Sequence, residues 1–257
     1  MFRILLIGDD CTDVYRYGSV DRISPEAPVP VFKFSYEESK PGMAGNVLRN
    51  LEAFGLEVKF ITAGQASTKT RIIDTKSKQH IIRIDDDADC QPLLPDFISQ
   101  EELALYNAIV ISDYNKGTIS YEIVEWLRSQ YQGLIFIDTK KRDLIRFNDC
   151  IVKVNEHEYS QRTSLCNNII VTLGANGAMH KREESEDFYP GYKVEVVDVC
   201  GAGDTFLSAL VYKYLENSDI SQAILFANRA SSIAVQHSGV YTLNKSDIEQ
   251  IIFDTNL

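Results

Sequence analysis

The sequence predicts an α/β fold: a three-layer α/β/α sandwich with a mostly parallel central sheet and a small β lid. Three observations carry this. From residue 107 onward, strand-length apolar runs alternate with helical patterns, the order that builds parallel strands joined by crossover helices. The runs are continuously apolar, as in Ile4-Leu5-Leu6-Ile7, which is what strands covered on both faces require. Polar residues then gather where the runs stop.

In chain order, residues 2–8 read as a buried first strand. Residues 9–41 hold four of the seven prolines and short β-prone pieces such as Val29-Pro-Val-Phe-Lys-Phe34, which suits edge strands or a flap. Gly42 to Phe54 carries Val47, Leu48, Leu51 and Phe54 on one helical face and ends at Gly55. A strand at 57–63 follows. Residues 69–74 and 79–85 form a hairpin around a polar turn. With segment 14–40 this makes the lid, about 14–40 and 68–86, within a single domain of 1–257. Strands are then expected at 108–112, 133–138, 151–154, 168–173 and 194–199, with helices at 118–131, near 143–147, after 154 and from 202. A β-rich stretch runs to 189, and helices 219–236 and 245–253 close the chain.

A chain of 257 residues at 44% hydrophobic can bury a full core. Its net charge of −11, from 26 basic and 37 acidic residues, disfavours nucleic acid and anionic membrane as partners. The five cysteines are widely spaced without a Cys-x-x-Cys pair, pointing to reduced thiols in a cytoplasmic protein. The apolar start is too short for a signal peptide and no run is long enough to span a membrane. The four histidines make no metal spacing. Asp85-Asp-Asp-Ala-Asp89 alternates carboxylates as a calcium loop does, but Cys90 stands where such a loop needs glycine, so a solvated loop is preferred.

The chemistry centres on Val196-Val-Asp-Val-Cys-Gly-Ala-Gly-Asp-Thr-Phe206, where a β-branched run meets two glycines and a helix begins. A helix N-terminus offers unpaired N–H groups and partial positive charge to a phosphate. A carboxylate there, Asp204, is repelled by that anion unless it serves as a base. Taken alone, Gly201-Ala-Gly-Asp204 reads more readily as a turn and cap. Other strand ends add Gly8-Asp9 with Asp13, Ser112-Asp-Tyr-Asn-Lys-Gly117, Asp138-Thr-Lys-Lys141, Asn155-Glu-His-Glu158 and Gly174-Ala-Asn-Gly177. Ligands sit at the carboxyl ends of such sheets. Carboxylates, lysines and a glycine-rich anion loop on one edge are the equipment of metal-assisted phosphoryl transfer.

The run from Asp198 through Gly201-Ala-Gly-Asp204-Thr resembles the signature of ribokinase-like (PfkB) sugar kinases. Within that superfamily the closer resemblance is to the heptose-7-phosphate kinase domain of lipopolysaccharide-precursor synthesis. Arg22-Ile-Ser-Pro-Glu-Ala-Pro-Val-Pro-Val31 is similar to its flap, and Ser112-Asp-Tyr-x-Lys-Gly117, Asp138-x-Lys140, Asn155-x-x-Glu158 and Phe226-Ala-Asn228 follow its order over nearly the whole chain. The resemblance implies Asp204 as base, with the N–H groups of Gly201, Ala202 and Gly203 stabilising the transferring phosphoryl. It implies Asp13, Gly42 and Asn46 on the sugar hydroxyls, and Asp113 and Lys116 lining the cleft. Thr172, Gly174, Gly177 and Asn228 are expected near ATP, and Asn155 and Glu158 organising Mg²⁺ through water, with a monovalent cation as an optional addition. The acceptor it implies is a small sugar phosphate, heptose 7-phosphate through its anomeric hydroxyl, and the assembly a homodimer formed through the lids.

The chain departs from that pattern. Gly42-Met43 stands for paired glycines, and Val14 for an arginine. Gly64-Gln-Ala-Ser67 replaces several tens of residues, and the segment between Glu158 and Ile169 is shortened. The adenylyltransferase domain often fused to this kinase finds no match. A helix and a strand are therefore expected to be missing, and a different sugar or a nucleoside as acceptor, or a non-catalytic nucleotide- or sugar-binding role, is the competing reading. Tyr15 and Tyr17 suit packing within the lid better than stacking on substrate.

Overall fold

A computed structural model describes residues 1–64, 67–88, 90–183 and 185–255. The chain opens with β1 (Arg3–Gly8) and passes directly into two long lid strands, β2 (Asp10–Ile23) and β3 (Pro30–Met43). It returns through α1 (Ala44–Ala53) and β4 (Glu57–Ile61), then adds β5 (Ser67–Asp74) and β6 (His80–Asp86) to the lid. After a one-turn α2 (Gln100–Leu103) come β7 (Ala108–Asp113), α3 (Tyr121–Gln130), β8 (Leu134–Thr139), β9 (Ile151–Asn155), α4 (Glu156–Ser160) and β10 (Asn168–Thr172). A hairpin of β11 (Ala178–Arg182) and β12 (Ser185–Tyr189) precedes α5 (Ala202–Asn217), α6 (Ile220–Ala234) and α7 (Lys245–Thr255).

The central sheet runs β12-β11-β10-β9-β8-β7-β1-β4. Strands β10, β9, β8, β7, β1 and β4 pair in parallel, while β11 and β12 add an antiparallel edge. Pleat alternation divides the core. Ile4, Leu6, Ala108, Val110, Phe136 and Ile170 face the layer of α1, α5, α6 and α7. Leu5, Ile7, Ile109, Ile111, Ile137 and Val171 face the layer of α2 and α3. Burying each such aliphatic side chain stabilises the fold by roughly 1.5–3 kcal/mol. Several helix starts follow side-chain caps: Ser120 accepts from the Ile123 amide at 3.1 Å, and Asp219 from those of Ser221 and Gln222 at 2.9 and 3.1 Å.

The lid is a second sheet of order β3-β2-β5-β6. Tyr17 stacks on Tyr36 with centroids 4.7 Å apart, and the buried Tyr15 hydroxyl accepts from the Val240 amide at 3.0 Å. Both tyrosines therefore pack, as expected. Met43, which follows Gly42, holds φ 49°, a backbone conformation that a side chain strains.

Residues 194–199 do not join the sheet, contrary to the strand expected there. Val196, Val197 and Val199 are more than half exposed, and the segment is tethered by the Val197 and Asp198 amides donating to the Val235 carbonyl. The β-branched run is apolar because it lines clefts instead of filling a sheet. Of the alternating acidic run, Asp85 takes Arg83 and Asp87 takes Lys116, while Asp89 lies outside the described residues, as do Gln65 and Ala66 of the shortened connection and Glu184 of the solvated hairpin.

Candidate active site

The sheet reverses its winding at β1, with β4 on one side and β7 on the other, so a crevice opens outside the carboxyl ends there. The start of α5 faces it. Gly201 is left-handed (φ 76°), and a Cβ on it would meet the Asn46 amide nitrogen at 2.5 Å. Asp198 pins the loop, accepting from the amides of Cys200 at 3.0 Å and Gly239 at 2.9 Å. The Ala202 amide turns onto the Val199 carbonyl at 3.3 Å. Of the three N–H groups expected to meet a phosphoryl, this leaves those of Gly201 and Gly203.

Asp204, in the first turn of α5, is 2% exposed. Its Oδ2 accepts from Asn46 at 3.0 Å and its Oδ1 from the Tyr114 hydroxyl at 2.7 Å. Asn46 is itself held by Asn50, whose amide donates to Asn46 Oδ1 at 3.2 Å. Burial pushes the Asp204 carboxyl up to about 6, against the two hydrogen bonds, which lower it. A carboxyl with that value changes charge just below neutral pH, the range in which a general base works best.

Beside Gly203 lies the Lys153 ammonium, which a Cβ there would meet at 2.7 Å. Lys153 projects from β9 and pairs with Asp138 of β8 at 2.7 Å. Burial disfavours its charge, but Asp138, with Glu158 and Asp204 nearby, holds it above its ordinary value. Lys153 and Tyr114 are the site residues that sequence reasoning did not assign. The signal for Lys153 was a lone lysine inside the apolar run Ile151–Val154.

Asp13 and Gly42 meet on the paired lid strands β2 and β3, with Asp13 in a buried ion pair with Arg71 of β5. Lys116 pairs with Asp87 at the lid's exit. Asp113 departs from its expected place along the cleft. Its side chain is fully enclosed, accepting from Thr139 at 2.7 Å and pairing with Lys141 at 3.1 Å, because it anchors the loop after β7. Thr172, Gly174, Gly177, Asn228, Val196 and Phe206 line a cleft of about 350 Å³ on the other side of the α5 start. Asn228 spends its amide on the Tyr189 and Pro190 carbonyls at 3.1 and 3.2 Å.

Asn155 and Glu158 form a reciprocal capping box at the start of α4, with Glu158 also 3.4 Å from Lys140. Among the described residues no three His, Cys, Asp or Glu side chains converge as a metal cage. A single carboxylate such as Glu158 suits Mg²⁺, which retains waters and binds through one or two carboxylates plus phosphate oxygens.

The sequence pattern of the pfkB family carbohydrate kinase matches residues 144–247. The bifunctional protein HldE of Campylobacter curvus is 31% identical over 305 aligned positions, covering 97% of this chain and 64% of that protein. The bifunctional protein HldE of Helicobacter acinonychis is 29% identical over 313 positions, covering 100% of this chain and 67% of its own. The chain thus spans about two thirds of these relatives. Both alignments are longer than the 257 residues here, as expected of a shortened chain. Among solved structures, Escherichia coli phosphofructokinase-2 in complex with potassium matches with a TM-score of 0.76 at 18% identity, over 100% of both chains. Thermotoga maritima ribokinase matches at 0.75 and 16%, over 98% of this chain and 100% of its own. These likenesses establish the fold.

Proposed function

The chain belongs to the pfkB family of carbohydrate kinases, and we propose that it transfers the γ-phosphate of ATP to a hydroxyl of a sugar phosphate, with Asp204 as the base. One observation carries the reading. A buried carboxylate with a raised pKa lies in the first turn of α5, beside an apolar cleft lined by Ala202, Gly203 and Phe206, and bonds to Asn46 just past the lid strand β3. ATP would occupy the cleft by Thr172, Gly174, Gly177 and Asn228, and Mg²⁺ supplies charge neutralisation of the phosphates, held by Glu158 and water beside Asn155. Lys153 and the amides of Gly201 and Gly203 would face the phosphoryl in transit, and Asp13, Gly42 and Asn46 the sugar.

The acceptor we propose is the anomeric hydroxyl of heptose 7-phosphate, the most acidic hydroxyl of the sugar. The Arg22–Val31 flap and the whole-chain similarity to the HldE proteins support it. Val14, Met43 and the shortened connections favour a second reading in which another sugar is accepted. Exposed Phe34, Ile82 and Ile84 on the lid support a homodimer formed there. An ADP-release assay with heptose 7-phosphate against a panel of sugars and sugar phosphates, run beside Asp204→Asn, tests the proposal. Turnover by Asp204→Asn would sink the mechanism, and turnover on another sugar alone would replace the acceptor. Nucleotide binding without turnover on any sugar would point to a binding protein.

A further inference from the structure

The loop after β7 is built with unusual redundancy for a surface connection. Asp9, at the end of β1, accepts from the amides of Lys116 at 3.0 Å and Thr118 at 3.1 Å. Asp113, at the end of β7, accepts from the Asn115 amide at 2.9 Å and holds Thr139 and Lys141, while Lys141 also reaches the Asn115 side chain at 3.0 Å. Two buried carboxylates on the strands flanking the crevice thus immobilise one short loop. The residue they hold between them is Tyr114.

Tyr114 is half-buried, and its ring lies 4.8 Å from the Lys140 ammonium of the sheet edge and 5.4 Å from Lys69 of the lid. Its hydroxyl points at the base. Burial and the neighbouring carboxylates Asp204 and Asp138 hold the phenol well above its ordinary value, so it stays protonated and acts as a donor. The Asp204 carboxylate is therefore gripped from opposite sides, by Asn46 on Oδ2 and Tyr114 on Oδ1. Each carboxylate oxygen keeps a further lone pair, so the grip leaves room for an incoming hydroxyl.

We propose that Tyr114 is a positioning residue for the base: its hydroxyl, donating to Asp204 Oδ1 at 2.7 Å from a loop anchored by Asp9 and Asp113, fixes the carboxylate's orientation and favours its charged form. The role as a base rests on the kinase reading, whereas the effect on ionisation does not. The other groups facing Asp204 are Asp138 of β8, which opposes its charge, Lys153 of β9, which favours it, and the Cys11 thiol of β2, itself held up by burial and nearby carboxylates. None of these is altered by removing one oxygen from Tyr114.

The test follows the Asp204 carboxyl by ¹³C NMR in aspartate-labelled protein, with the resonance assigned by its loss in Asp204→Asn. Tyr114→Phe should raise the Asp204 pKa by about one unit, tenfold in its ionisation constant, since the bond removed was made to a charged group. Installing 3-fluorotyrosine at position 114, a stronger donor of nearly the same shape, should lower it. The fluorinated protein keeps the test open if Tyr114→Phe does not fold. With a turned-over sugar, the acid limb of the kcat/KM profile should move the same way in each variant. A loss of activity equal at all pH values, with Asp204 titrating unchanged, would show a merely structural tyrosine and overturn the proposal. If no sugar is turned over but the titrations shift as stated, the kinase reading fails and the positioning role stands.

Discussion

A methyl group placed on Gly203 would lie 2.7 Å from the Lys153 ammonium, so helix α5 and strand β9 approach through the one residue type that lets a buried cation reach the anion loop. Gly203→Ala should displace Lys153 by a fraction of an ångström and leave the fold intact. Misplacement on that scale costs on the order of 10²-fold in rate. Steady-state kinetics beside a circular-dichroism melt checks this; a variant as active as the parent removes Lys153 from the phosphoryl site.

Asp204 is held ionised at a cost. Its carboxyl titrates near 6 in the fold, against 3.8 for the free side chain. The folded protein therefore binds more protons than the unfolded chain between about pH 4 and 6, and this carboxyl lowers stability as pH rises through that window. Two units correspond to about 3 kcal/mol at most. Asp204→Asn should gain stability relative to the parent on going from pH 4.5 to pH 8, by about 2 kcal/mol, while losing turnover. Urea unfolding at both pH values reads this, and a gain independent of pH contradicts it.

Lys153 and Asp138 satisfy each other in a buried setting. Lys153→Met strands the carboxylate and should cost about 3–5 kcal/mol at neutral pH. Adding Asp138→Asn should restore most of that stability without restoring turnover. Recovery of both would mean the pair serves the fold alone.

On the lid, Phe34, Ile82 and Ile84 are each more than half exposed. If lids pair, Ile82→Glu buries a charge at the contact and should convert dimer to monomer in light scattering, with the melting temperature then independent of protein concentration. A parent that is monomeric at every concentration rejects the pairing.

Nucleotide binding should survive Asp204→Asn and fall with Gly177→Val, because a Cβ on Gly177 meets the Tyr189 carbonyl at 2.1 Å and displaces the turn lining the cleft. Calorimetric titration with ATP distinguishes the two variants; equal weakening in both places the nucleotide elsewhere.

Most strands and helices were legible because burial on both faces leaves a continuous apolar run, and because helix ends carry their own caps, as at Ser120 and Asp219. The run Val194–Val199 was misread for the same reason. An apolar β-branched segment has one composition whether a sheet or a ligand cleft uses it, and only the neighbouring chain at Val235 decides. The strands of the second sheet reach beyond the bounds expected for the lid, from Asp10 to Met43 and from Ser67 to Asp86, because β2 starts one residue past the end of β1.

By itself the sequence determined the alternating order of strands and helices, the edge on which polar residues collect, and the glycine-flanked start of α5 with Asp204 beside it. These are local properties, set by periodicity and by which residues tolerate a turn. Only the tertiary structure decided how the surroundings of two candidate carboxylates differ. Asp113 and Asp204 both lie at strand ends or helix starts among polar neighbours, yet Asp113 is paired with Lys141 and enclosed, while Asp204 has two neutral donors and, among the described residues, no salt bridge. That difference arises from partners some 30 to 160 residues away in the chain, and charge compensation over such separations exists only once the sheet has formed.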